Sequence, residues 1–157
     1  MQVRSLSDIK KELKELSKEE LAELCLALGK YKRDNKAYMD YLLFEAHDPE
    51  TFIAVAKKEV DDFFEEITQT NLYLVKKSLR KILRIIGRYA KYTGSKEKEA
   101  ELIIYFLKKM KHSGIPYEKN KVLVNLFNTQ MKKLGTLISK MHEDLQYDLK
   151  KEMDELI

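Results

Sequence analysis

Three observations predict an all-α fold. Only two prolines and five glycines interrupt 157 residues, no stretch alternates apolar and polar residues with period two, and apolar residues recur at three- and four-residue spacing almost throughout. The reading is six to seven helices, as an irregular bundle or a short α-solenoid-like array. Residues 1–157 form a single helical domain that ends in a long C-terminal helix.

Residues 5–16 carry Leu6, Ile9, Leu13 and Leu16 on one side and open the chain as a short charged helix. Ser17 reads as the cap of the second helix, with Glu20 three residues on completing a capping box, and that helix runs to about Gly29. Cys25 sits there among Leu24, Leu26 and Leu28, which predicts a buried, inert thiol. A lone cysteine allows neither an internal disulfide nor a paired-cysteine metal site. A third helix from about Asp34 to Phe44 carries Tyr38, Tyr41, Leu42 and Phe44.

Asp48 and Pro49 restart the chain, as a cap and a proline in the first helical position. The helix that follows is acidic, with Glu59, Asp61, Asp62, Glu65 and Glu66 facing mostly away from Phe52, Ile53, Ala56, Val60, Phe63, Phe64 and Ile67. It is expected to end near Thr68 to Asn71, where a basic helix begins. Thr93-Gly94-Ser95 closes the basic helix, and Ser95 caps a sixth whose Ala100, Ile103, Ile104, Phe106, Leu107 and Met110 suit a central position. His112 to Pro116 is a loop, and the rest reads as one helix with a bend at Gly135. That helix narrows to a seam of Ile138, Met141, Leu145, Leu149, Met153 and Leu156. Residues 137–157 either dock back on the domain or form a homodimer seam. No internal repeat of fixed period is visible.

At 44% hydrophobic and 36% charged residues the chain is globular rather than disordered. The net charge of +4 is unevenly placed, with +8 in residues 67–96 after −6 in residues 45–66. Within the basic stretch, Lys77, Lys81, Arg84, Arg88 and Lys91 follow at spacings of four, three, four and three, and Arg80 joins the same arc. Val75, Leu79, Ile82, Leu83, Ile86, Tyr89 and Ala90 fall opposite, so the cations point away from the core. The row extends about 20 Å at a rise of roughly 1.5 Å per residue. It suits phosphates or an acidic protein surface, or it is a solvated face partly neutralised by the acidic helix before it.

The sequence offers no other concentrated chemistry. His47, His112 and His142 stand apart, with neither HExxH nor Glu-x-x-His spacing. No GxSxG elbow, phosphate-binding Gly-rich loop or dinucleotide fingerprint is present. Tyr73, Tyr89 and Tyr92 flank or interleave the basic row, without any RNA-binding or helix-turn-helix signature. No cofactor, metal or membrane partner is expected, and the N-terminus lacks an apolar signal core, which points to the cytoplasm.

The segment ELKELSKEELAELCLALGKYKRDNKAYMDYLL, residues 12–43, resembles the start of an uncharacterised bacterial family of small helical proteins. The shared features are a leucine-rich capped helix followed by a tyrosine-bearing one. The resemblance implies helices but no activity and no site residues. The expected function is a non-enzymatic helical protein-interaction module, with a protein partner or a homodimer. The alternative is a nucleic-acid-associated protein using the basic face, and a small-molecule enzyme comes third.

Overall fold

The computed structural model describes residues 1–68 and 71–157. They form eight α-helices, one π turn and one 3-10 turn, with no strand among the described residues. The chain divides into two compact units, Met1–Ala46 and His47–Ile157, which part at the Asp48-Pro49 restart.

The first unit holds α1 (Leu6–Glu15), α2 (Lys18–Tyr31) and α3 (Arg33–Asp40), with a π turn at Tyr41–Glu45 continuing α3. The capping box of α2 forms as its spacing requires: the Ser17 hydroxyl accepts from the Glu20 N–H at 3.2 Å, and Glu20 accepts from the Ser17 N–H at 3.3 Å. Helices α2 and α3 pack together closely at Gly29, where a Cβ would come within 2.9 Å of the Met39 sulfur. Asn35 fixes the turn between them by donating to the Leu28 carbonyl at 2.7 Å. None of α1, α2 or α3 has a fully buried residue. Cys25, expected to be buried, is exposed. The apolar residues of α2 spread around the helix instead of forming one stripe, and Leu26 and Leu28 also remain exposed.

The second unit comprises α4 (Pro49–Glu65), α5 (Leu72–Thr93), α6 (Lys96–His112), a 3-10 turn at Tyr117–Lys119, α7 (Lys121–Ser139) and α8 (Glu143–Asp154). Asp48 caps α4 by accepting from the Thr51 N–H at 3.2 Å. The expected junction at Thr68 to Asn71 includes Gln69 and Thr70, which lie outside the described residues. Asn71 caps α5 through the Tyr73 N–H at 2.9 Å, and Gly94 ends that helix in the left-handed region at φ 62°. Ser95 then caps α6.

Helix α6 lies at the centre and packs on α4, α5, α7 and α8. Its Leu102, Ile103, Phe106, Leu107 and Met110 are fully buried, each contributing roughly 1.5–3 kcal/mol. Around them gather Ile53, Ala56 and Val60 of α4, Val75, Leu79, Ile82 and Ile86 of α5, and Leu123, Phe127 and Leu134 of α7. Contacts between α4 and α6 rise together along both helices, Lys57 to Glu101 and Asp61 to Tyr105, so these two run parallel. Helix α8 repeats that relation to α6, through Lys108 to Glu152. Helix α5 runs back between them in sequence, antiparallel to α4, with Phe52 against Tyr89 and Phe63 against Lys81.

The long C-terminal helix is not continuous. Residues Lys140 to His142 separate α7 from α8, and the His142 ring accepts from the Asp144 N–H at 3.4 Å as the cap of α8. The turn reverses the chain so that α8 packs on α7 and α6. The eighth helix comes from this break, one more than the sequence reading allowed. Ile138, Leu149 and Leu156 are buried in the core of this unit, while Met141 and Met153 are partly buried against it. Leu145 is half-buried beside them. The apolar seam therefore closes on its own unit, because an unbroken helix would have carried it away from α6.

The unit also has an internal spacing that the sequence hides. The N-caps Asp48, Ser95 and His142 of α4, α6 and α8 follow one another at intervals of 47 residues. Lys57 to Glu101, Asp61 to Tyr105 and Lys108 to Glu152 are each separated by 44 residues. Asn71 and Asn120 cap α5 and α7 at an interval of 49.

Candidate functional site

Helix α5 presents its polar side as the sequence periodicity requires. Lys77, Arg80, Lys81, Arg84, Arg88 and Lys91 are all exposed, while Val75, Leu79, Ile82, Ile86 and Ala90 are buried. Ile85 is buried as well. Leu83 and Tyr89 are partly buried against the core. No ion pair among the described residues involves any of the six cations. Lys81 stacks its ammonium 4.3 Å from the Phe63 ring centroid, a contact that leaves its charge unneutralised. Both α5 and α7 lack any Asp or Glu.

The acids of α4 face other partners. Glu59 accepts from the Tyr89 hydroxyl at 2.7 Å, which together with burial pushes the Tyr89 pKa well up and keeps the phenol a neutral donor. Asp61 accepts from Tyr105 at 2.7 Å and pairs with Lys109 at 2.7 Å. Partial burial raises the Asp61 pKa, but these two donors outweigh it and the net shift is downward. Asp62 pairs with Lys58 on its own helix at 3.3 Å. Glu59, Asp61 and Asp62 are thus engaged elsewhere, and no ion pair among the described residues joins this helix to the basic row.

A second polar surface runs across α4, α6 and α8. The Lys98 side chain, only 11% exposed, pairs with Glu50 of α4 and with Glu101 at 3.2 Å. Glu101 also takes Lys57 of α4 at 2.6 Å. Burial opposes the charge on Glu101, yet Lys57 and Lys98 hold its pKa below the ordinary 4.5. Burial likewise opposes the charge on Lys98, and Glu50 and Glu101 raise its pKa in spite of it. Lys108 reaches Glu152 of α8 at 2.8 Å, and Lys111 donates to the Leu156 carbonyl at 3.0 Å. An open hollow of about 370 Å³ lies along this surface, lined by Lys57, Glu101, Tyr105, Lys108, Leu145 and Glu152 among others. Within it Lys57 pairs with Glu101 and Lys108 with Glu152, Glu97 and Asp148 complete its charged lining, and burial with the Asp61 contact raises the Tyr105 pKa. Sequence reading missed this ladder. Its signal was the 44-residue offset between opposite charges, which only a known helix register exposes.

The remaining residues of the sequence search stay apart. His47 lies in the turn before α4, His112 ends α6 with Nδ1 2.8 Å from the Lys108 carbonyl, and His142 caps α8. Among the described residues no three His, Cys, Asp or Glu side chains group so as to hold a metal ion. None of the described helices is long and apolar enough to cross a membrane. Comparison with family models, curated proteins and solved structures finds no match.

Proposed function

We propose that this chain is a cytoplasmic, non-enzymatic helical interaction module whose working surface is the cationic face of α5. The observation that carries the reading is the contrast in pairing. Lys57, Lys98, Lys108, Lys109 and Lys133 of α4, α6 and α7 find carboxylates across helix boundaries, whereas six cations on α5 are exposed and in no ion pair among the described residues. Like charges repeated along one helix face destabilise it by a few tenths of a kcal/mol per neighbouring pair, a cost that an anionic partner would relieve. The parallel α4, α6 and α8, alternating in sequence with α5 and α7 at intervals of 47 to 49 residues, support a short α-solenoid-like array as the scaffold. In such an array both rows share the core through their apolar sides, and the outward side of α5 is left to meet a partner.

The test uses heparin as a general polyanion. Wild-type protein is expected to bind it at about 50 mM salt, and the Arg84→Glu, Arg88→Glu double variant to bind at least tenfold more weakly with unchanged circular dichroism. Equal binding by the two proteins would overturn the assignment of α5.

A further inference from the structure

We infer that the partner of the α5 face is the phosphate backbone of double-stranded nucleic acid, contacted without regard to base sequence; this rests on the assignment of α5 as the working surface. Three observations separate this partner from an acidic protein or a membrane. The first is the absence of an apolar anchor. Protein interfaces derive most of their affinity from aromatic and aliphatic side chains set in pockets, and lysine is depleted at their centres. The exposed large apolar residues of α5 are Tyr73 and Leu74, both in its first turn, and none follows them along the cationic row.

The second is what lies between the cations. Gly87 is exposed between Arg84, Arg88 and Lys91, and a Cβ added there would meet nothing within 4 Å. Packing does not require glycine at this position, and its absent side chain lets a bulky anionic strand come up to the helix backbone while the flanking guanidinium groups reach its oxygens. The third is the use of the apolar side. Amphipathic helices that bind membranes insert that side into lipid, but in α5 Val75, Leu79, Ile82 and Ile86 are in the protein core. Single strands are bound chiefly by stacking on several aromatic side chains, and Tyr73 alone stands exposed on this helix. A straight row about 20 Å long, with three guanidinium and three ammonium groups, instead matches successive phosphates of a duplex.

Fluorescence anisotropy of a labelled 20-base-pair duplex of about mixed composition tests this, with poly-L-glutamate as competitor. Binding is expected at about 50 mM salt and is expected to weaken about 10²–10³-fold at about 200 mM, the dependence set by four or five phosphates neutralised. Arg84→Glu with Arg88→Glu is expected to abolish it, while Lys150→Glu with Lys151→Glu, an equal change of net charge on the exposed side of α8, leaves it within about threefold. Equal loss in both variants would mean attraction to overall charge and would overturn the inference. So would duplex binding that poly-L-glutamate displaces as readily as unlabelled duplex, an outcome that leaves the α5 face as a working surface for acidic protein. A protein that retains heparin through Arg84 and Arg88 but ignores the duplex would likewise refute the nucleic-acid inference alone.

Discussion

Two polar surfaces of the second unit are both rich in cations and end in opposite electrostatic states. Across α4, α6 and α8, Lys57 meets Glu101 and Lys108 meets Glu152, each pair 44 residues apart and each joining neighbouring parallel helices. Along α5 seven cations occur with no acid in the helix, and among the described residues the six on its outward face form no ion pair. The first arrangement ties helices together through partly buried pairs. The second makes one contact with a neighbouring helix, the Lys81 ammonium over the Phe63 ring, and leaves a field directed outward. Charge content alone therefore does not separate the two surfaces; the pairing does.

The comparison can be broken first through the core that both surfaces share. Leu149→Asp places a carboxylate among buried side chains of the unit, and is expected to cost about 4 kcal/mol or more in urea unfolding while the protein stays monomeric in sedimentation. A stable, folded variant that loses only self-association would return α8 to the role of a dimer seam. Next comes the centre of the ladder. Lys98→Met leaves Glu50 and Glu101 without their shared ammonium, with an expected loss of about 2 kcal/mol by urea denaturation.

Acid sharpens the contrast further. Glu101 and Asp61 both have lowered pKa values in the folded chain, so their contribution is complete above the ordinary 4.5 and 3.8 and is lost as pH falls through the lowered values. Unfolding midpoints measured between about pH 6 and pH 3 should drop, and Glu101→Gln should flatten part of the drop. An unaltered slope in that variant would show that Glu101 gains nothing from Lys57 and Lys98. A smaller effect is expected for Tyr105→Phe, which removes a hydroxyl donor to Asp61 for about 1 kcal/mol.

Much of this could be read in the sequence because it is local. Caps at Ser17, Asp48 and Ser95, the close at Gly94 and the outward arc from Lys77 to Lys91 each depend on spacings within a few turns of one helix. The break at Lys140 to His142 escaped because it carries neither proline nor glycine, and its cap is a histidine ring rather than a hydroxyl or carboxylate. Reading through it joined α7 and α8 into one long helix and hid the reversal between them. The 47-residue interval escaped for a related reason. Asp48, Ser95 and His142 fill the same structural position with three different residue types, and Lys57 and Glu101, both on the ladder, carry opposite charges at the same offset. Stacked helices need complementary side chains at equivalent positions, which erases the self-similarity that a repeat search relies on. Cys25 was misplaced because apolar neighbours in sequence do not amount to a stripe in space.

The most direct test of the central claim, that Arg84 and Arg88 of the α5 row are not part of what holds the unit together, is urea unfolding of the Arg84→Glu, Arg88→Glu protein beside wild type at about 50 mM salt. An unchanged slope and a stability within about 0.5 kcal/mol of wild type are expected, since both side chains are exposed and unpaired. A loss of about 2 kcal/mol or more would contradict the account, because it would place the two arginines among the contacts that the fold itself requires.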